Sequence, residues 1–204
     1  GVVIGILIDE AEQLVRGEIP PPSDEEIEQA LEIAAGDLMA VGLTGVHDMG
    51  MEHRVWSAMV RLAEQGRFPL RIYAYAVADD PLAERLIEEG PIHERNLHVV
   101  GVKLWADGAL GSRGARLLEP YRDEPATSGV WVTSPREIDR RVRRTVDAGL
   151  QPAVHAIGDA ANRAALDAFE SAGAGGSDRP PRLEHAQILA PEDLPRLASL
   201  GVVA

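Results

Sequence analysis

The sequence predicts an α/β protein built on a parallel sheet, and three observations carry that expectation. Capped helical segments alternate with short apolar segments about six times along the chain. Several apolar segments are continuous runs rather than strict alternations, as in strands buried on both faces. Gly, Pro or Asp brackets each segment, which keeps it near strand length. Open doubly wound sheets and closed barrels share this rhythm, so the rhythm alone does not choose between them.

Taken in order, the chain opens with the apolar run GVVIGILI at residues 1–8, stopped by Asp9 and Glu10. A bilayer span needs ~20 apolar residues, and no basic region precedes the run as in a signal peptide. Residues 16–24, with Pro20, Pro21 and Pro22, read as a stiff linker. Ser23 then opens a helix through a capping box with Glu26, and Ile27, Ala30, Leu31, Ala34 and Leu38 follow at helical spacing until Gly42. A first strand is expected over residues 43–47. The next helix covers 52–65, with Val55, Trp56, Met59, Leu62 and Ala63 on one side. A second strand covers 70–77, and a short helix capped by Asp80 covers 81–89.

The third strand is expected over residues 97–105. A segment of more than 25 residues, 107–133, separates it from its helix, and loops of that length are usually functional or mobile. Ser134, Pro135 and Glu137 start the following helix, whose inner side carries Ile138, Val142 and Val146. The fourth strand covers 151–157, and a helix capped by Asp159 directs Leu166 and Phe169 inward. The fifth strand covers 182–188, Pro191 opens a last helix, and residues 201–204 read as the opening of a sixth strand. The chain begins with Gly and stops within an apparent strand, so both ends are expected to be breaks within a longer protein.

Composition excludes several function classes. The 204 residues carry 33 acidic and 20 basic side chains, a net charge of −13, which argues against a general nucleic-acid or anionic-membrane binder. With 45% hydrophobic and 26% charged residues the chain can bury a core and is not disordered. The absence of cysteine removes disulfides, thiolate metal sites and a thiol nucleophile. Cytoplasmic location is the default expectation. Arg136, Arg140, Arg141, Arg143 and Arg144 cluster on one helix, where surrounding acids favour a solvated face over an anion site.

In parallel α/β folds reactive groups gather at the carboxyl ends of strands. Those ends carry His47 and Asp48, Lys103 and Asp107, His155 and Asp159, and Glu184 and His185. Lys103 sits inside the apolar run from Val99 to Trp105. An unpaired charge there is costly, so burial favours the neutral amine. Such an amine can form a Schiff base with a carbonyl substrate, as in an aldolase or lyase. It can also take up CO2 as a carbamate that binds metal. Alternatively, Lys103 points outward or pairs with Asp107 or Glu184. His155 and His185, on successive strands beside acids, suit a zinc-type ion, although a lone strand histidine is more often a hydrogen-bonded core residue. A non-catalytic α/β binding domain is the other reading that stays open. The segment Gly108-Ala109-Leu110-Gly111-Ser112-Arg113-Gly114 is glycine-rich, but its spacing matches neither the phosphate-binding loop nor the dinucleotide fingerprint. It reads as a flexible lid, with anion binding assisted by Arg113 as the alternative.

Four segments together resemble the YtcJ-like branch of the amidohydrolase superfamily, often called amidohydrolase family 3, which includes N-substituted formamide deformylases. They are GLTGVHDMG at residues 42–50, VKLWADGALGSRGA at 102–115, HAIGD at 155–159 and RLEHAQ at 182–187. The similarity runs in order through nearly the whole chain from about Ile19. The resemblance implies a metal-dependent hydrolase of amide or formamide bonds on a distorted (β/α)8 TIM-type barrel, with about six of eight strands in this chain. It implies a leading segment and linker at residues 1–22 and barrel βα units at 23–204. By the same resemblance Lys103 is the carboxylated metal-bridging lysine, and His155 and His185 are metal ligands for a divalent ion, zinc first. His47, Asp107 and Arg113 are then candidates for contact with a small amide substrate, and the long loop is a candidate to close over the site. The family's His-x-His pair does not occur here, and its general-base aspartate is expected beyond Ala204. A barrel lacking strands also exposes sheet edges, through which copies of the chain can associate. The expectation is therefore a stretch that is inactive by itself and binds metal weakly at best.

Overall fold

The computed structural model describes residue 5 and residues 12–204. The apolar run read at residues 1–8 lies, apart from residue 5, outside the described residues.

The described elements run in the order α1 (Gln13–Arg16), α2 (Asp24–Ala40), β1 (Gly45–Met51), α3 (His53–Glu64), β2 (Arg71–Val77), α4 (Pro81–Glu89), β3 (Ile92–Glu94) and β4 (Leu97–Trp105). There follow α5 (Pro135–Asp147), β5 (Gln151–Ala156), α6 (Asp159–Ser171), β6 (Arg182–His185) and α7 (Leu194–Ser199). The sheet order is β1-β2-β4-β5-β6, all neighbours parallel, with β3 antiparallel on β4. The sheet curls into a half-barrel. Residues 201–204 contribute one parallel bridge, between Val203 and Arg182, rather than a full strand.

Alternation along the strands separates two faces. Outward residues Ile72, Ala74, Ala76, Leu97, Val99 and Val102 pack against Trp56, Met59, Leu62, Leu82 and Leu86 of α3 and α4. Leu104, Val154, Ala156 and Leu183 pack in the same way against Ile138 and Val142 of α5 and Leu166 and Phe169 of α6. Each fully buried Leu, Ile or Phe in this layer contributes roughly 1.5–3 kcal/mol, so the helix-facing side holds the strands in place. Polar groups collect on the inner face. There Tyr75 donates to Gln151 across strands at 2.5 Å, and Lys103 lies over the Trp105 ring at 4.2 Å.

Helix starts follow their caps. Ser23 Oγ accepts from the Glu26 amide at 3.2 Å, and the Glu26 carboxylate accepts from the Ser23 amide at 2.7 Å. Asp80 and Ser134 cap α4 and α5. Asp159 differs from expectation. It is the first residue of α6, and its carboxylate accepts from the Leu118 amide at 2.8 Å, tying down the long loop. Four of the five arginines of α5 are paired: Arg140 and Arg141 with Glu137, Arg141 also with Asp79, Arg143 with Asp139 and Arg144 with Glu84.

Candidate functional site

Strand register sets the levels of the candidate residues. Lys103 pairs with Ala153, Trp105 with His155, His155 with Glu184, and Ala156 with His185. Lys103 thus stands two residues, about 7 Å along the strand, below the level of His155, on the same inward face. The His155 and His185 rings meet edge to face with centroids 4.6 Å apart. Regular alternation would send His185 outward, opposite to Glu184. The backbone prevents this: His185 has φ 75° and Ala186 φ 42°, two consecutive left-handed non-glycine residues. Such conformations cost on the order of 1 kcal/mol or more each and tend to gather at functional sites.

Lys103 is the only lysine in the chain, the other 19 basic residues being arginine. It is 3% exposed, and its Nζ donates to the Leu104 carbonyl at 3.0 Å. Burial pulls its pKa down to about 8, against the opposing pull of Glu184. Of the three arrangements left open by the sequence, the outward one is excluded. The acid that faces Lys103 electrostatically is Glu184, which in turn is ion-paired with Arg182 at 2.7 Å.

His155 is held neutral. Burial pushes its pKa down to about 4, helped by the charges of Lys103 and His185 and opposed by hydrogen bonding to the Gly108 backbone. Its Nε2 is buried without a hydrogen-bond partner, 3.5 Å from Asp107 Oδ1. A buried imidazole nitrogen left unpaired is costly, and it is the group a metal ion would satisfy.

Asp107 is 1% exposed. Its Oδ1 accepts from the Ile157 amide at 3.0 Å, and its Oδ2 accepts from the Gly158 and Arg116 amides at 2.8 Å each. Burial raises its pKa, while those three amides oppose the rise. Its oxygens therefore hold loop backbone amides, with Oδ1 also 3.5 Å from His155 Nε2. Arg113 is exposed and pairs with Asp123 at 2.8 Å. His47 is not brought to the rim, because β1 continues four residues beyond it to buried Met51. Its ring packs on Tyr73, 5.7 Å away. Tyr73 pairs with His98, five residues or about 16 Å down β4 from Lys103.

The segment 107–133 is tied to the barrel side by several hydrogen bonds. Besides Asp107 and Asp159, the Ala161 amide donates to the Arg116 carbonyl, and Tyr121 donates to the Ala115 carbonyl at 2.8 Å. Gly158 and Gly129 permit this closeness. A Cβ on either would lie 2.0 Å from the carbonyl oxygen of Arg116 or Ala115 respectively. The segment forms a fixed wall beside His155.

Among the described residues there is no group of three or more His, Cys, Asp and Glu side chains able to hold a metal ion. The inner face instead carries two imidazoles and, two residues lower on β4, one amine of lowered basicity. With the unpaired Nε2 of His155, these residues fit a divalent ion.

A family model described as "Amidohydrolase family" matches residues 1–204. The chain is 35% identical to YtcJ of Bacillus subtilis (strain 168), an alignment covering 99% of this chain and 39% of that protein. It is 32% identical to the protein LONG AFTER FAR-RED 3 of Arabidopsis thaliana, covering 100% of this chain and 37% of that one. Two crystal structures of uncharacterized metal-dependent hydrolases are also similar, each with a TM-score of 0.79 over 95% of this chain. The Pyrococcus furiosus protein is 34% identical with 40% of its chain covered, and the Pyrococcus horikoshii OT3 protein is 30% identical with 38% covered. The chain spans about two-fifths of the length of these relatives.

Proposed function

The chain belongs to the amidohydrolase family, and from that premise we propose that the complete protein hydrolyses a carbon–nitrogen bond of amide or formamide type in a small molecule. Lys103, His155 and His185 would hold its divalent metal, zinc first. The observation that carries the reading is the buried, unpartnered Nε2 of His155 beside the His185 ring, with Lys103 on the same inner face. A bound ion supplies Lewis acidity, activating water and polarising the scissile carbonyl.

The chain's own residues prepare that chemistry. With a pKa of about 8, about a tenth of Lys103 is neutral amine at pH 7. That amine adds to CO2 by forming an N–C bond and releasing one proton to solvent, which leaves a carbamate with two oxygen donors. His155 contributes an imidazole that stays neutral through the physiological range. The wall formed by residues 107–133 bounds the site, and Trp105 lies against the Lys103 ammonium. The aspartate that moves the proton to the leaving amine lies, on the family pattern, beyond Ala204, so residues 1–204 by themselves are inactive. Among the described residues no helix is long and apolar enough to cross a membrane, and a cytoplasmic setting remains part of this proposal.

The test uses the complete protein and a panel of N-formyl and N-acyl amines. Amine release that disappears with a chelator, returns with Zn2+, and falls at least 100-fold in Lys103→Ala and His155→Ala supports the reading. Activity that survives chelation, with substrate trapped on Lys103 by borohydride, would overturn it in favour of Schiff-base chemistry.

A further inference from the structure

β3 pairs with residues 97–99 of β4, the stretch of that strand that β5, pairing from Gly101 onward, does not reach. In this short ladder His93 stands opposite His98. The two ring centroids are 5.0 Å apart, and the Nδ1 atoms face each other at 2.9 Å. Tyr73 packs against the other side of His98 with ring centroids 5.1 Å apart, while His93 is exposed.

We propose that His93 and His98 form a second metal site, a cross-strand clamp for one late first-row divalent ion of the nickel or copper type. It lies on the amino-terminal rim, five residues of β4 away from Lys103. Imidazole is a preferred ligand of these ions. The separation brings both nitrogens within reach of one ion. At an imidazole–metal distance of about 2.05 Å, nitrogens 2.9 Å apart subtend about 90° at the ion. That suits two neighbouring ligands of square-planar or octahedral coordination, and the usual affinity order places copper and nickel ahead of most other first-row ions at an imidazole site. Water completes the shell on the exposed side of His93. Without an ion the same atoms share one N–H···N hydrogen bond. On binding, both rings carry their proton on Nε2 and present Nδ1 to the ion. Backbone pairing already fixes both residues, so little side-chain ordering remains to oppose binding. The ion would pin the three-residue strand β3 to the sheet.

The test is calorimetric titration with Ni2+ and Zn2+, together with Cu2+ electron paramagnetic resonance. It uses the parent chain, His93→Ala, His98→Asn and the double variant His155→Ala/His185→Ala. At the His93–His98 site Ni2+ is expected to bind with the same affinity in the parent and the double variant, to exceed Zn2+ in affinity, and to lose at least about tenfold in affinity in His93→Ala and His98→Asn. The copper spectrum should show coupling to two nitrogens that His93→Ala abolishes. Exposed His93 can be truncated without disturbing the core, so its variant reads binding rather than folding. A Ni2+ isotherm unchanged in both single variants, or lost only in the double variant, would overturn the proposal and leave the Lys103 rim reading untouched.

Discussion

The Asp107 carboxylate accepts the Gly158 amide at 2.8 Å, and this contact joins the segment after β4 to the turn after β5. The same carboxylate serves Ile157 and Arg116, so three loop amides depend on one buried side chain. Leaving a buried donor unmet costs roughly 1–3 kcal/mol. Asp107→Ala should therefore destabilise the chain by about 3 kcal/mol or more, lowering Tm by roughly 6–12 °C for a domain of this size. Thermal and denaturant melts measure it, and a Tm within a degree of the parent would contradict the assignment.

Gly158→Ala and Gly129→Ala force a Cβ into a carbonyl oxygen. The expected outcome is release of the wall without loss of the sheet: faster amide hydrogen exchange across residues 107–133, with β2 and β4 still protected. Exchange unchanged in that segment would mean the close approach can be relieved cheaply.

His155 makes the metal-free chain sensitive to mild acid. Its pKa is about 4 when folded, against an ordinary value of 6.5. Between those values the unfolded chain takes up a proton that the folded chain refuses. Stability is therefore full above about pH 6.5 and falls as pH drops toward 4, by up to about 3 kcal/mol. Denaturant melts in chelator should show this slope in the parent, and a shallower one in His155→Gln. Parallel slopes would show that the imidazole titrates normally in the fold.

Much of this architecture was legible in the residues. The Ser23–Glu26 and Ser134–Glu137 boxes marked helix starts, and the apolar run around Lys103 marked β4 over its full length, because caps and continuous burial act locally. What was missed depends on contacts distant in sequence. β3 has three residues, two of them polar, and exists only because β4 offers an unpaired edge there. The first strand was expected to end at residue 47, yet β1 runs on to Met51, which leaves His47 in mid-strand. Asp159 has the residue type of a cap but sits one position late, and its carboxylate accepts from Leu118 as well as from Ala160. At the site, the placement of Lys103 and His155 on one inner face followed from strand alternation. The inward turn of Asp107 and the left-handed backbone at His185 did not, since both are set by loops meeting in space. One signal for Lys103 was available from composition alone: it has no other lysine beside it in 204 residues.

The strain at residue 186 makes a prediction of its own. Ala186 has φ 42°, a region glycine enters without steric cost. Ala186→Gly should be neutral or stabilising by up to about 1 kcal/mol, whereas Ala186→Val should destabilise by more than that. Equal melts for the two variants would show that the position relaxes.

That solitary lysine also decides where amine chemistry goes. Arginine carries every other positive side chain and stays protonated at any pH the fold survives, so it offers no nucleophilic nitrogen. Carbon dioxide, an aldehyde or an anhydride meeting this stretch of protein therefore finds a single side-chain amine to react with, and that one lies inside the barrel wall.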